Sequence, residues 1–116
     1  MSITRLDPHE RLSGAVIHNG IVYLAGQVST NTTLDAEGQT ANILTQIDSL
    51  LAQAGSNKAN ILSVQIFLPE ITDIGAMNKA WDAWLDTSNK PARATVEAKL
   101  ADPEWKVEIT LIAKTC

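Results

Sequence analysis

Apolar residues recur along this chain with two different periods, and each period predicts a different secondary structure. Between residues 40 and 54 they recur every three or four positions, as on the buried side of an amphipathic helix, and Gly55 follows as a left-handed stop. Residues 61–68 alternate instead, which predicts a strand that ends at Pro69. The face of this strand that is predicted to be buried carries Leu62, Val64, Ile66 and Leu68.

Two apolar runs near the start of the chain, residues 15–18 and 21–25, flank the dipeptide Asn19-Gly20. Asn-Gly tolerates positive φ at both central positions of a turn, so the three segments together predict a tight β-hairpin. Residues 29–38 are rich in Thr, Asn, Asp and Gly and lack periodicity. We expect them to form an exposed loop that could line the rim of a site.

A second helix is predicted to begin at Thr72, whose hydroxyl would cap the first turn, and Pro91 prevents the helix from continuing. Because apolar stripes at helical spacing usually pack in a core, we interpret the two tryptophans of this helix as core residues. A stacking platform for a ligand is the alternative. The predicted stripe consists of Ile74, Met77, Trp81, Trp84 and Leu85.

Two further alternating segments, residues 92–100 and 105–113, predict two closing strands. The order is then strand, strand, helix, strand, helix, strand, strand. This order is typical of an α+β domain in which a single sheet carries two helices on one face. In a chain of 116 residues, which we expect to form one domain over 1–116, a second subunit is the expected cover for the other face.

Polar side chains form a stripe along each of these closing strands, and on spacing alone a solvated sheet face is favoured over a site. If the strands pair as a hairpin, Arg93 and Glu108 are diagonal neighbours, roughly 7 Å apart between backbones, and can flank one small ligand. In that register three pairs lie opposite each other: Glu97 and Lys106, Thr95 and Glu108, and Arg93 and Thr110.

Composition argues against several classes of function. The chain has 9 Lys and Arg against 13 Asp and Glu, a net charge of −4, and its basic residues are scattered, so no nucleic-acid partner is expected. Cys116 is the only cysteine, which excludes an intramolecular disulfide and makes the cytosol the expected compartment. The sequence shows neither a signal peptide nor a run of about 18 apolar residues, so no membrane association is expected.

Motifs for metal, phosphate or nucleophilic chemistry are weak. His9 and His18 do not have metal-ligand spacing, so surface or structural roles are favoured over zinc. Gly26 and Gly38 do not form a phosphate-binding loop, and no serine or cysteine stands in a nucleophile motif. We predict no metal site from these motifs.

The segment 91–97, Pro-Ala-Arg-Ala-Thr-Val-Glu, resembles the signature of the Rid family, the reactive intermediate deaminases. Other elements of that family are resembled in the same order along the chain: Gly26-Gln27, Asn78 in the second predicted helix, and Lys-Val-Glu-Ile at residues 106–109. The resemblance therefore spans almost the whole chain.

This resemblance implies a chorismate-mutase-like α+β fold, assembled as a homotrimer with a cleft between each pair of subunits. It also implies cofactor-independent hydrolysis of 2-imino or enamino acids, such as 2-iminobutanoate and 2-iminopropanoate, to 2-oxo acids and ammonia. Arg93 would hold the carboxylate of the small-molecule substrate, and Glu108 would orient or deprotonate water. Gly26 and Gln27 would contact the ligand through the backbone, and Thr95 through its hydroxyl.

The chain also departs from the archetypal members of the family. Those members carry Gly-Pro-Tyr before the first hairpin strand, where this chain has Ser-Gly-Ala-Val at residues 13–16, and they often carry cysteine where Thr95 stands. These departures are typical of a divergent branch. Two other functions stay open: a non-catalytic module that binds 2-oxo acids or other small carboxylates, and endoribonuclease activity, which the acidic composition argues against.

Overall fold

Six strands form one mixed sheet, with two helices packed on one of its faces, in the computed structural model, which describes residues 2–116. This arrangement confirms the predicted α+β fold of a single sheet with two helices. The strands are β1 Thr4–Pro8, β2 Ser13–His18, β3 Ile21–Leu24, β4 Ile61–Leu68, β5 Ala92–Glu97 and β6 Glu108–Lys114, and the helices are α1 Ala36–Gln53 and α2 Ile74–Trp84. No helix within residues 2–116 is both long and apolar enough to cross a membrane.

The strands lie in the order β1-β2-β3-β6-β4-β5, and every neighbouring pair is antiparallel except β4 and β5, which are parallel. The predicted hairpin is confirmed as β2 and β3, with His18 paired to Ile21. Its turn uses positive φ at Asn19 (53°) and Gly20 (76°), as expected for Asn-Gly. The edge strand β1 was not predicted, because its five residues, Thr-Arg-Leu-Asp-Pro, show little apolar alternation.

Helix α1 begins at Ala36, inside the segment that the sequence predicted to be a loop, so that prediction is wrong over its last residues. The Asp35 side chain accepts a hydrogen bond from the backbone N–H of Gly38 at 2.8 Å, which caps the first turn. Ser29 is buried, so the loop is not exposed throughout. The predicted stop is confirmed, because Gly55 has a φ of +75°.

A β-bulge near the start of β4 corrects the predicted face of this strand. Ile61 pairs with Ala113 and Ser63 with Ile112, so Leu62 is the extra residue, and its side chain is 46% exposed. Ile61 enters the core in place of Leu62. The alternation of apolar residues does not reveal a bulge, because the residues before and after the extra residue each continue to alternate.

Helix α2 follows a 3-10 turn, Ile71–Asp73, so the predicted cap at Thr72 is wrong: the residue at the cap position is Asp73, without a side-chain hydrogen bond. Trp81 is buried in the core, as predicted, whereas Ile74 is 37% exposed. Trp84 is partly buried against the same core. The ring centroids of the two tryptophans lie 5.4 Å apart.

The last two strands do not form the predicted hairpin, because β4 lies between them. β5 runs parallel to β4 at the edge of the sheet, and β6 pairs with β4 on its other side. The predicted opposite pairs, such as Thr95 with Glu108, are therefore wrong: Thr95 pairs with Ile66. A strand as apolar as β4 gains most from neighbours on both sides, whereas charged side chains suit β5 to an edge.

One face of the sheet forms the core with the helices, and the other has no cover among residues 2–116. We call the second face the open face and define it by Val16, Tyr23, Phe67, Glu108, Thr110 and Ile112, with Ala94 and Val96 of β5. Tyr23, Val96 and Ile112 are 46%, 45% and 36% exposed, respectively. The core-facing strand residues include Ala15, Val22, Val64, Ile66, Ile109, Leu111 and Ala113.

Candidate functional site

Gly26, Gln27 and Glu108, which we call the Glu108 cluster, come together where the chain leaves β3 and enters β6. Gln27 forms an isolated bridge with Ile109: its N–H donates to the Ile109 carbonyl at 2.8 Å, and the Ile109 N–H donates back to the Gln27 carbonyl at 3.1 Å. The bridge places the Gly26 backbone beside the first residue of β6. Glu108 is half-buried there, on the side of the open face.

The close approach at Gly26 depends on its lack of a side chain. A Cβ at this position would overlap Oε2 of Glu108 and lie 2.9 Å from the carboxyl carbon. The φ of Gly26 is not in the positive region, so glycine is needed here for space and not for backbone conformation. The Glu108 carboxylate therefore rests directly against the backbone of Gly26.

Arg93 is the centre of a second group, formed by β5 and α2. Its Nη1 donates to Oδ1 of Asn78 at 2.8 Å and lies 4.0 Å from Sδ of Met77. The guanidinium carbon lies 5.2 Å from the ring centroid of Trp81, which is cation–π distance. We call Met77, Asn78 and Trp81 the Arg93 cradle, because together they fix the guanidinium while its remaining N–H groups stay available to an anion.

Thr95 lies on the same face of β5 as Arg93, because the two residues pair with Ile66 and Val64, which both face the helices. Its Oγ1 is buried and has no hydrogen-bond partner among residues 2–116. A buried hydroxyl without a partner is unfavourable, so a ligand or a neighbouring chain is the expected source of one.

Within one chain the two groups are separate. Arg93 pairs with Val64, which faces the helices, whereas Glu108 pairs with Phe67, an odd number of residues further along β4 and therefore on the opposite face. With β4 between them, the backbones of β5 and β6 are about 10 Å apart. The predicted diagonal contact of Arg93 with Glu108 is consequently wrong within a chain.

The sequence did not predict the Arg93 cradle as a unit. Asn78 was noted only as a point of resemblance, and Trp81 was assigned to the core, where it is indeed buried. The available signal was spacing, because Trp81 lies four residues after Met77 and three after Asn78, and residues three or four apart are neighbours on a helix surface. The sequence did not show that β5 would lie next to that face.

Other titratable groups do not form a site in the described part of the chain. Residues 2–116 contain no group of three His, Cys, Asp or Glu that could hold a metal ion. Nε2 of His9 lies 3.6 Å from Oδ2 of Asp7, and Nδ1 of His18 lies 3.2 Å from the Ser2 carbonyl oxygen. The pKa of Asp86 is lowered, first because its carboxylate accepts a hydrogen bond from the Asn89 side chain.

Comparison with known proteins gives consistent matches. The sequence matches the family model described as Endoribonuclease L-PSP over residues 2–115. It is 55% identical to a RutC family protein of Haemophilus influenzae, covering 100% of each chain. It is 50% identical to the RutC family protein YoaB of Escherichia coli K12, over 97% of this chain and 98% of that protein.

Two solved structures share the fold. A YjgF family member from Neisseria meningitidis has a TM-score of 0.97 and 45% identity, covering 100% of this chain and 97% of that one. YyfA of Yersinia pestis, a member of the conserved Rid protein family, has a TM-score of 0.85 and 32% identity, over 93% of this chain and 90% of that one.

Proposed function

Since the chain belongs to the Rid family, whose members are also named RutC, YjgF and L-PSP proteins, we propose that it hydrolyses 2-imino and enamino acids to 2-oxo acids and ammonia. The family includes deaminases and is commonly trimeric. In this proposal the site lies in clefts between the subunits of a homotrimer and requires no metal or cofactor. The cytosol is the compartment we expect for this activity.

The observation that carries the proposal is the division of the predicted site residues into two groups on opposite faces of the sheet. Arg93 and Thr95 lie at the β5 edge on the face towards the helices, and Glu108 lies on the open face, with the backbone of Gly26 and Gln27 beside it. A ligand that uses both groups has to lie between two chains. A trimer supplies this arrangement three times, once at each boundary between subunits.

Arg93 is the residue that would bind the carboxylate of the substrate. Asn78 uses one guanidinium N–H at 2.8 Å and Trp81 lies against one face of the group, so its orientation is set before a ligand arrives. The remaining N–H groups can form the two parallel hydrogen bonds that match a carboxylate, which a lysine cannot reproduce. The buried Thr95 hydroxyl, which lacks a partner in the described chain, would gain one from the same ligand.

Glu108 is the residue that would carry out the proton transfers of the reaction. A water oxygen adds to the imine carbon while the Glu108 carboxylate accepts one of its protons and transfers it to the imine nitrogen, which gives a carbinolamine. The carboxylate then moves the proton of the new hydroxyl group to the nitrogen, so that the C=O bond forms as the C–N bond breaks and ammonia leaves. Gly26 and Gln27 contribute backbone groups beside this carboxylate.

The description of the family model names an endoribonuclease. Cleavage of RNA is not the function we propose, because the chain carries a net charge of −4 and would repel a phosphate backbone. The small carboxylate substrates of the proposed reaction require only one well-placed guanidinium.

The first prediction separates binding from turnover. Arg93→Ala and Arg93→Lys should abolish the binding of a non-reacting 2-oxo acid in calorimetry, because each loses the bidentate pair. Glu108→Gln keeps the shape of the side chain but cannot accept a proton, so it should bind the 2-oxo acid normally while turnover falls by about 10²- to 10⁴-fold. Turnover is followed as loss of an imine generated by an amino-acid oxidase or dehydratase.

Co-expression of two variants tests whether each site is formed by residues of two chains. Chains with Arg93→Ala and chains with Glu108→Gln, each inactive alone, should regain activity in mixed trimers, to about one quarter of the wild-type value if chains assort at random. Absence of any recovery would contradict a site between subunits. A wild-type protein that binds 2-oxo acids without accelerating imine loss would instead be the non-catalytic binding module.

A further inference from the structure

Gln39 is a fully buried polar residue in the first turns of α1, with an exposed fraction of 0%. Its Nε2 lies within hydrogen-bond distance of three backbone carbonyls: Thr32 at 3.4 Å, Leu34 at 3.1 Å and Glu104 at 3.2 Å. Its Oε1 accepts the backbone N–H of Lys106 at 2.9 Å. One side-chain amide therefore connects two loops that are distant in sequence.

These two loops lead directly to the Glu108 cluster. The first, residues 28–35, continues from Gln27, and the second, residues 98–107, ends at Glu108. A second link joins the same loops at the surface, where the Thr32 hydroxyl donates to Oε2 of Glu104 at 3.1 Å. The separation between the Gly26 backbone and the Glu108 carboxylate thus depends on how firmly the two loops are held together.

Two more amides on the same side of α1 hold the first loop. Asn42 accepts the Thr30 N–H at 3.0 Å, and its Nδ2 donates to the Thr30 hydroxyl at 3.0 Å. Gln46 donates to the Val28 carbonyl at 2.9 Å and to Oδ1 of Asn42 at 2.7 Å. These amides fix the first loop to the helix, but only Gln39 also contacts the second loop.

We propose that Gln39 is a positioning residue for the Glu108 cluster: it holds the segment before β6 against the segment after β3 and so sets where the Glu108 carboxylate lies relative to Gly26 and Gln27. The consequence for turnover rests on the proposed function. The consequence for the local structure does not, and the two are measured separately.

The test compares Gln39→Met with Thr40→Val. Methionine keeps the length of the glutamine side chain but makes none of its hydrogen bonds. Thr40 is equally buried, and its hydroxyl donates only to the Ala36 carbonyl within α1, at 2.7 Å, so Thr40→Val changes a neighbouring buried polar group without touching either loop. The control therefore reports any general loss of stability.

The first readout is amide hydrogen exchange at Gln27 and Ile109, whose N–H groups form the bridge beside Glu108. Gln39→Met should accelerate exchange at both by about tenfold or more, and Thr40→Val should not. The second readout is kinetic. Gln39→Met should lower kcat by about 10- to 100-fold and change KM by less than about threefold, because Arg93, which is proposed to hold the carboxylate, and the Arg93 cradle are untouched.

Equal acceleration of exchange in both variants would mean that Gln39 contributes only to general stability, and the inference would be overturned. Wild-type protein without turnover would contradict the proposed function, and the exchange data would still decide the role of Gln39. If Gln39→Met does not fold, Thr32→Val removes the second link at a partly exposed position. It should accelerate exchange at the same two amides to a smaller extent, and unchanged exchange there would overturn the proposal.

Discussion

Gly26 and Glu108 depend on each other, because the carboxylate occupies the space that a side chain at position 26 would need. The carboxylate is the far end of a flexible side chain, so it can rotate away if that space is filled. Such a rotation costs the fold little but removes the group from the position that the proposed chemistry needs. Changes at Gly26 should consequently affect activity more than stability.

We predict that Gly26→Ala leaves the free energy of unfolding within about 1 kcal/mol of wild type and lowers turnover by roughly 100-fold, as expected for a displacement of about 1 Å. The same change in the Glu108→Gln background should have a much smaller effect, because the displaced group is already inactive. Turnover is measured by imine loss and stability by urea unfolding. Additive losses in the double variant would contradict this coupling.

Gly75 provides the matched control. It lies in α2, and a Cβ there would meet no described atom within 4 Å. Gly75→Ala should stabilise the protein by about 0.5–1 kcal/mol, because alanine loses less backbone entropy in a helix. Turnover should not change. Loss of activity in this variant as well would show that the assay responds to general changes and not to the space at Gly26.

The two helices begin in different ways, although the sequence offers a capping residue near each start. Asp35 accepts the Gly38 N–H and caps α1, whereas α2 continues from the 3-10 turn that contains Thr72, and its cap residue, Asp73, makes no side-chain cap hydrogen bond within residues 2–116. In α2 the preceding 3-10 turn, Ile71–Asp73, already orders the backbone at the start of the helix. A residue of the right type at the right position is therefore not sufficient for a cap.

We predict that Asp35→Ala lowers the free energy of unfolding by about 1 kcal/mol, and that Thr72→Ala changes it by less than about 0.5 kcal/mol. Both are measured by urea denaturation at one protein concentration, because subunit association would contribute to apparent stability. Equal losses in the two variants would contradict the assignment of the caps.

The local sequence pattern predicted most of the helices and strands, but it did not predict which strands lie next to each other in the sheet. Periodicity predicted α1, α2, β4 and the hairpin, because each buries one face against the core. It did not predict that β4 separates β5 from β6, since alternation is the same whichever strand lies alongside. The bulge at Leu62 was missed because it depends on the pairing of β4 with β6, which is distant in sequence. The edge strand β1 was missed because its residues show little apolar alternation.

For the site as well, the sequence predicted the residues but not their arrangement in space. Resemblance identified Arg93, Thr95, Gly26, Gln27 and Glu108 as one set, and the structure brings together Gly26, Gln27 and Glu108 in one group and Arg93 and Thr95 in another. The helical spacing of Trp81 did not show that it would contact Arg93, and Gln39 carried no local signal of the positioning role that we propose for it. Their contacts are made across the fold, and a sequence pattern describes only one element at a time.

At the scale of the whole molecule, the open face determines how the chain is expected to assemble. Tyr23 and Ile112 are paired neighbours in β3 and β6 and remain 46% and 36% exposed. Exposed apolar side chains that lie next to each other on a sheet mark a surface suited to association. The divided site requires that a second copy covering this face bring its β5 edge towards the Glu108 cluster.

The last prediction compares two isoleucines of almost equal exposure on different sides of the molecule. Ile112 is 36% exposed on the open face, and Ile74 is 37% exposed on α2. Ile112→Lys would place a charge inside the proposed interface, where desolvation costs several kcal/mol and each 1.4 kcal/mol weakens association tenfold. Ile74→Lys adds the same charge at a helix surface and should leave the trimer intact.

Sedimentation equilibrium at micromolar concentration checks this directly: wild type and Ile74→Lys should be trimers, and Ile112→Lys should be largely monomeric. Because Arg93 and Glu108 would then be on separate molecules, Ile112→Lys should also lose turnover although both residues are unchanged. A monomeric wild type would contradict the proposed trimer. A trimeric Ile112→Lys would mean that the open face is not the interface, and a dissociated variant with full turnover would mean that one chain holds a complete site.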